Sequence, residues 1–217
     1  AILWYFKKTW INLLFSIIRK IKRENDNRSD SKLIWLLIAG TLPAMVFGLL
    51  FENTIETTFR SPQVIGIALI LFSGVLLAVE KMGRRNHGID TLTQKQSLGI
   101  GFAQSIALIP GVSRSGITIA AGMLNKLTRE EAARFAFLLS APIVAGAGGI
   151  KTIKTIHLFL NGNLSIFDLL FFGVGFLTAM ISGYLTIKYF LRFLMNNSLY
   201  PFIIYRIVLG ILVLLVF

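Results

Sequence analysis

The run from Gly101 to Asn125, GFAQSIALIPGVSRSGITIAAGMLN, constrains this chain more than any other stretch. An apolar segment stops at Pro110-Gly111, presents Ser113, Arg114 and Ser115, and turns apolar again from Gly116. Pro110 lacks a backbone donor and Gly111 relaxes the backbone, so one unbroken helix through this point is disfavoured. The spacing predicts helix, short polar break, helix, with Arg114 at the break. An arginine placed against lipid costs about 2.5–3.5 kcal/mol on insertion scales. A broken helix with a charged tip is tolerated at membrane depth only where it is buried in protein or lines a water-filled cavity. The break is therefore expected to line a cavity.

The rest of the chain supplies the membrane setting. Of 217 residues, 55% are hydrophobic and only 15% charged, and the apolar residues arrive in blocks long enough to span a bilayer. The expected fold class is an all-α integral membrane protein, a multi-span helical bundle forming one membrane domain over residues 1–217. The net charge of +12 is not a nucleic-acid signature here, because the basic residues sit mostly in loops between apolar blocks. With no cysteine, disulfides and thiolate metal sites are excluded. The chain opens Ala1-Ile2-Leu3-Trp4-Tyr5-Phe6 and its first methionine is Met45. Those six residues read as the tail of a helix whose beginning is absent, so an upstream portion is expected to be missing.

In order, an amphipathic piece and a polar run fill Lys7 to Lys32, followed by a span from about Leu33 to Phe51 with an internal Pro43. The stretch ENTIETTFRSP reads as a loop, and Gln63 to Val79 returns across the membrane. After the broken segment, Thr128 and Glu131 match a capping box that starts a helix at about Arg129 and carries it to Ile150. Lys151 to Ser165 is expected to be a loop, Ile166 to Ile187 a span, Lys188 to Tyr200 a connection, and Pro201 to Phe217 the last span. If the broken segment is a re-entrant hairpin over about residues 96–125, 17 basic residues collect on one side and three on the other. If it crosses fully, the division is 14 to six. The positive-inside bias favours the re-entrant form.

Arginine offers a planar fork of donors suited to phosphate oxygens and stays charged. Ser113 and Ser115 supply hydroxyls, and free N–H groups at the start of the second helix favour an anion. Gly116 permits close approach of backbone to ligand, and Thr118 lies about one turn along. These residues make an oxyanion cradle for phosphate or diphosphate. The structural alternative is that Arg114 pairs with a carboxylate, but all ten acidic residues fall in loops or near helix ends. Gln104 reads first as a helix-packing residue and Arg206 as a snorkelling or packing arginine. His87 and His157 read as loop histidines, while Ser140, Pro142 and the Gly146–Gly149 cluster read as close helix packing. Taken by itself this is half a site, with no convincing general base and no carboxylates for a divalent metal.

The stretch ALIPGVSRSGITIAAGML resembles the second signature of the undecaprenyl-diphosphate phosphatases, the bacitracin-resistance family of bacterial membrane enzymes. The likeness extends through LIAGTLPAMVFGLLF, QSLGIGFAQSIALIPG, EAARFAFLLSAPIVAGAG and YPFIIYRIVLG. The resemblance implies a multi-pass enzyme of the bacterial inner membrane. Its reaction removes the terminal phosphate of undecaprenyl diphosphate, recycling the lipid carrier for cell-wall synthesis and giving bacitracin resistance. It also implies inverted repeats, each with a re-entrant hairpin, and an active site open to the outer face. Carried over by position, Arg114, Ser113, Ser115 and Thr118 would be catalytic, and Arg114, Gly116 and Gln104 would bind substrate. A divalent cation (Mg or Ca) is implied as well, with no ligands for it in this chain.

One departure matters. The family's first signature, a glutamate-rich helix with a Pro-x-Ser-Ser-Thr-Gly-His loop, has no match here. The 217 residues alone are therefore expected to be inactive while the parent protein is a phosphatase. The alternative function is a non-catalytic polyprenyl-phosphate binder or transporter, since broken helices in inverted repeats are also transporter architecture. The nucleophile and any association into a homo-oligomer are left open by the sequence.

Overall fold

Long apolar runs separated by short polar junctions become helices joined by tight connections. The computed structural model describes residues 1–22, 28–82, 86–162 and 164–217, with the backbone alone at 28–29 and 52–58. In chain order the helices are α1 (Ile2–Tyr5), α2 (Lys7–Ile21), α3 (Arg28–Thr58), α4 (Pro62–Lys81) and α5 (Gln94–Ile106). They continue with α6 (Arg114–Leu124), α7 (Arg129–Leu160), α8 (Ile166–Asn196) and α9 (Tyr200–Val216). A single 3-10 turn at Ile89–Thr91 precedes α5, and among the described residues there is no strand. Among the described residues, four helices are long and apolar enough to cross a membrane, within Asp30–Phe51, Pro62–Lys81, Arg129–Leu160 and Ile166–Asn196. The protein is thus an all-α, multi-pass membrane protein.

Several helix starts are written in the sequence. Ser61 accepts from the Val64 N–H ahead of Pro62, and Thr93 and Gln96 form a reciprocal capping box, as do Ser165 and Asp168. Thr128 caps α7 at the expected residue by accepting from the Glu131 N–H. The Glu131 side chain does not return to Thr128, however. It accepts from the Ile89 N–H at 3.1 Å and so ties the 3-10 turn to α7.

The helix ends are where the structure departs from expectation. α7 runs ten residues beyond Ile150, so Lys151–Leu160 is helix and the exposed His157 lies on it rather than in a loop. KTIKTIHLFL contains no glycine or proline, and the helix stops only at Asn161-Gly162, where Gly162 has φ 72°. α3 likewise continues through the start of ENTIETTFRSP to Thr58, and α8 continues through Lys188 and Arg192 to Asn196. Hydropathy marks where lipid contact fades, whereas a helix persists until a breaker intervenes. The Gly146–Gly149 cluster also departs from its reading as a packing surface, because a Cβ at Gly146, Gly148 or Gly149 would meet nothing within 4 Å.

α5 and α6 form a helical hairpin. Their lengths of 13 and 11 residues correspond to about 20 and 17 Å, each short of a hydrocarbon core of about 30 Å. The two ends of the segment meet: the His87 N–H donates to Lys126 O at 3.0 Å and the Thr128 N–H to His87 O at 3.1 Å. Lys32 Nζ donates to Asp90 O at this same end. At the opposite end Gln63 Nε2 donates to Phe217 O at 2.8 Å, which places the start of α4 beside the end of α9. α5 packs closely along α3, since a Cβ on Gly101 would lie 2.4 Å from Gly40 O. Ser97 Oγ donates to Leu36 O across the same contact. Glu80, buried at the end of α4, accepts from Arg129 Nε at 2.8 Å and anchors the start of α7.

Candidate functional site at the hairpin tip

After α5 the chain tightens through three-residue turns. The N–H groups of Ala107, Leu108, Ile109 and Val112 donate to Gln104, Ser105, Ile106 and Ile109 carbonyls respectively. Gly111 has φ 93° and lies against α4, where a Cβ would sit 2.6 Å from Ile65 O, so both conformation and contact require glycine. Ser113 is a non-glycine residue at φ 70°, a conformation that costs of order 1–3 kcal/mol and persists only when its surroundings enforce it. Its Oγ caps α6 by accepting from the Gly116 N–H at 3.2 Å.

Arg206 of α9 supplies part of that enforcement. Its Nη2 donates to Gly111 O at 2.9 Å and Val112 O at 3.1 Å, and its Nε to Ser73 Oγ at 3.2 Å. One guanidinium thus fastens the tip to both α4 and α9. Of the two readings of Arg206, snorkelling or packing, the structure agrees with packing, and its partners were not foreseen because two of them are backbone carbonyls some 95 residues away. The signal that could have found it is a charge in the middle of an otherwise apolar helix.

A cavity of about 370 Å³ opens beside the tip. Its lining combines Ser113, Ser115, Gly116 and Arg206 of the tip region with the aromatic rings of Phe137, Phe190 and Phe202. Arg114 starts the same helix but does not line this cavity. It is half-buried, and its guanidinium makes no hydrogen bond or ion pair among the described residues. The carboxylate partner that would make it a structural arginine is therefore not found there. The N–H groups of Arg114 and Ser115 open the first turn of α6 with no backbone partner among the described residues.

Thr118 is placed differently from the serines. It is 1% exposed, and its hydroxyl donates to Arg114 O at 2.7 Å and Ser115 O at 3.1 Å. It braces the first turn of α6 from behind. Gln104 is also buried, and neither end of its amide has a partner among the described residues. The structure brings Ser113, Ser115 and Gly116 together at one cavity, sets Arg114 beside them, and leaves Thr118 and Gln104 inside. No group of three or more His, Asp and Glu able to hold a metal occurs among the described residues.

Comparison with known proteins places the chain in a family. The model of the family described as bacitracin resistance protein BacA matches residues 1–212. An undecaprenyl-diphosphatase of Elusimicrobium minutum is 42% identical over 99% of this chain and 78% of its own length. One from Rubrobacter xylanophilus is 39% identical over 98% of this chain and 77% of its own. Another, from Chromohalobacter salexigens, is 44% identical over 85% of this chain and 68% of its own. With a broken helix, an unpaired arginine at its tip and similarity along almost its whole length, the chain belongs to the bacitracin resistance protein BacA family.

Proposed function

We propose that the protein hydrolyses undecaprenyl diphosphate to undecaprenyl phosphate, with the tip of the α5–α6 hairpin as the diphosphate cradle. The observation that carries this reading is the unpaired guanidinium of Arg114 at the open N-terminus of α6. An unpaired charge inside an apolar bundle is unfavourable unless it meets an anion, and helix N-terminal N–H groups favour the same sign. In this reading Arg114 takes phosphate oxygens in its fork, the Ser115 hydroxyl donates to them, and Ser113 holds the turn. Arg206 keeps the tip in place, and the aromatic wall of the cavity accepts the first isoprene units of the lipid. The hairpin is re-entrant in a bacterial plasma membrane, with the basic ends of the helices toward the cytoplasm. The divalent cation implied by resemblance finds no ligand cluster among the described residues, so no step is routed through it.

The test is phosphate release from undecaprenyl diphosphate by the full gene product in detergent. The unaltered protein is expected to release phosphate, and Arg114→Ala to lower the rate by about 10²–10³-fold, as loss of one transition-state donor does elsewhere. A folded protein that binds the lipid but releases no phosphate would replace the enzyme with a lipid-phosphate carrier.

A further inference from the structure

We propose that the basic end of the bundle carries a binding site for an anionic glycerophospholipid, between α1, α7 and α8 and separate from the hairpin tip. A cavity of about 370 Å³ opens there, lined among others by Phe6, Glu130, Arg134, Lys188, Leu191 and Arg192. Its floor is apolar, because Phe6 and Leu191 are buried in the core. Its rim is cationic. Lys188 and Arg192 are four residues apart on α8 and share one face, a spacing at which like charges repel.

Neither forms an ion pair among the described residues. Lys188 has only the Tyr189 ring, 6.0 Å away. Arg134 reaches Glu131 at 3.5 Å, and Glu130, the acid that lines the cavity, pairs with none of the three cations. The arrangement leaves an excess of positive charge over an apolar floor.

Depth identifies the ligand. α7 and α8, of 32 and 31 residues, are about 48 and 46 Å long, so some 16–18 Å of each extends beyond a hydrocarbon core of about 30 Å. Arg134 lies about 8 Å from the start of α7 and Lys188 about 12 Å from the end of α8. Both lie nearer the ends of their helices than the middle, at the end where the sequence concentrates basic residues, from which long cationic side chains reach the headgroup layer. A lipid phosphodiester fits between Lys188 and Arg192, with its glycerol and upper acyl carbons on Phe6 and Leu191. A merely solvated cluster would have no such floor.

The experiment is native mass spectrometry of the full-length protein, titrated with phosphatidylglycerol or with phosphatidylcholine of the same acyl chains. The unaltered protein is expected to hold one phosphatidylglycerol about 10-fold more tightly than phosphatidylcholine. Lys188→Gln with Arg192→Gln should abolish that preference. Lys188→Arg with Arg192→Lys should keep it, as should Lys81→Gln with Lys95→Gln, which removes two charges at the same end outside the cavity. Equal loss in the Lys81/Lys95 variant would overturn the site in favour of diffuse surface charge. Equal affinity for the two lipids, or displacement of phosphatidylglycerol by millimolar inorganic phosphate, would overturn it as well.

Discussion

Arg114 and Arg206 show how two residues of one type divide the work of a single site. Both are charges in apolar stretches and both lie near the tip, yet Arg206 donates to two backbone carbonyls and the Ser73 hydroxyl, whereas the guanidinium of Arg114 has no partner among the described residues. Arg206 is thus a positioning residue. Arg206→Lys keeps the charge but cannot bridge Gly111 O, Val112 O and Ser73 Oγ together. It is expected to lower kcat/KM by about 10²-fold, the scale of an ångström misplacement, while detergent melting shows the fold retained. Thr118 makes the matching case with a neutral group. Thr118→Ser preserves the hydroxyl bonds to Arg114 O and Ser115 O and should retain activity, whereas Thr118→Val should lower it by loosening the first turn of α6. Equal phosphate-release rates in the two Thr118 variants would show that the hydroxyl does not brace the site.

At the scale of the element, the α5–α6 hairpin depends on contacts too close for side chains. Gly101 meets Gly40 backbone to backbone, so Gly101→Leu should push α5 off α3. The expected result is a thermal midpoint several degrees lower, a loss of about 1–3 kcal/mol for overpacking, together with reduced activity from a displaced tip. A Gly99→Leu control should leave the midpoint near the parent value, because a Cβ there meets nothing within 4 Å. The hairpin was legible in the sequence because Pro110-Gly111 and a charged tripeptide interrupt an apolar run, and the start of α7 was legible from Thr128. The ends of α3, α7 and α8 were not, since nothing in their polar extensions breaks a helix. At the tip, the Ser113–Gly116 cluster declared itself as charge among apolar residues. The role of Arg206 did not, because it depends on which carbonyls the fold brings to it.

At the scale of the whole molecule, the arrangement turns on which end each connection occupies. The bridge between His87 and Leu127 puts the entry to α5 and the exit from α6 together, and α7 then runs the length of the bundle. Under this geometry Lys95, at the start of α5, and Arg134, at the start of α7, face one side of the membrane, while Lys154 lies toward the other. Residues 1–217 hold no cysteine, so within them each introduced thiol reports on a single position. In full-length single-cysteine variants, Lys95→Cys and Arg134→Cys should react with a membrane-impermeant maleimide only after cells are permeabilised. Lys154→Cys should react in intact cells. A hairpin that crossed the bilayer completely would put Lys95 and Arg134 on opposite sides, so labelling of either one alone in intact cells would overturn the re-entrant arrangement. Matched labelling would leave the tip entering from the basic end, and Arg114 would then meet its anion inside the bundle rather than at the surface where that basic charge is concentrated.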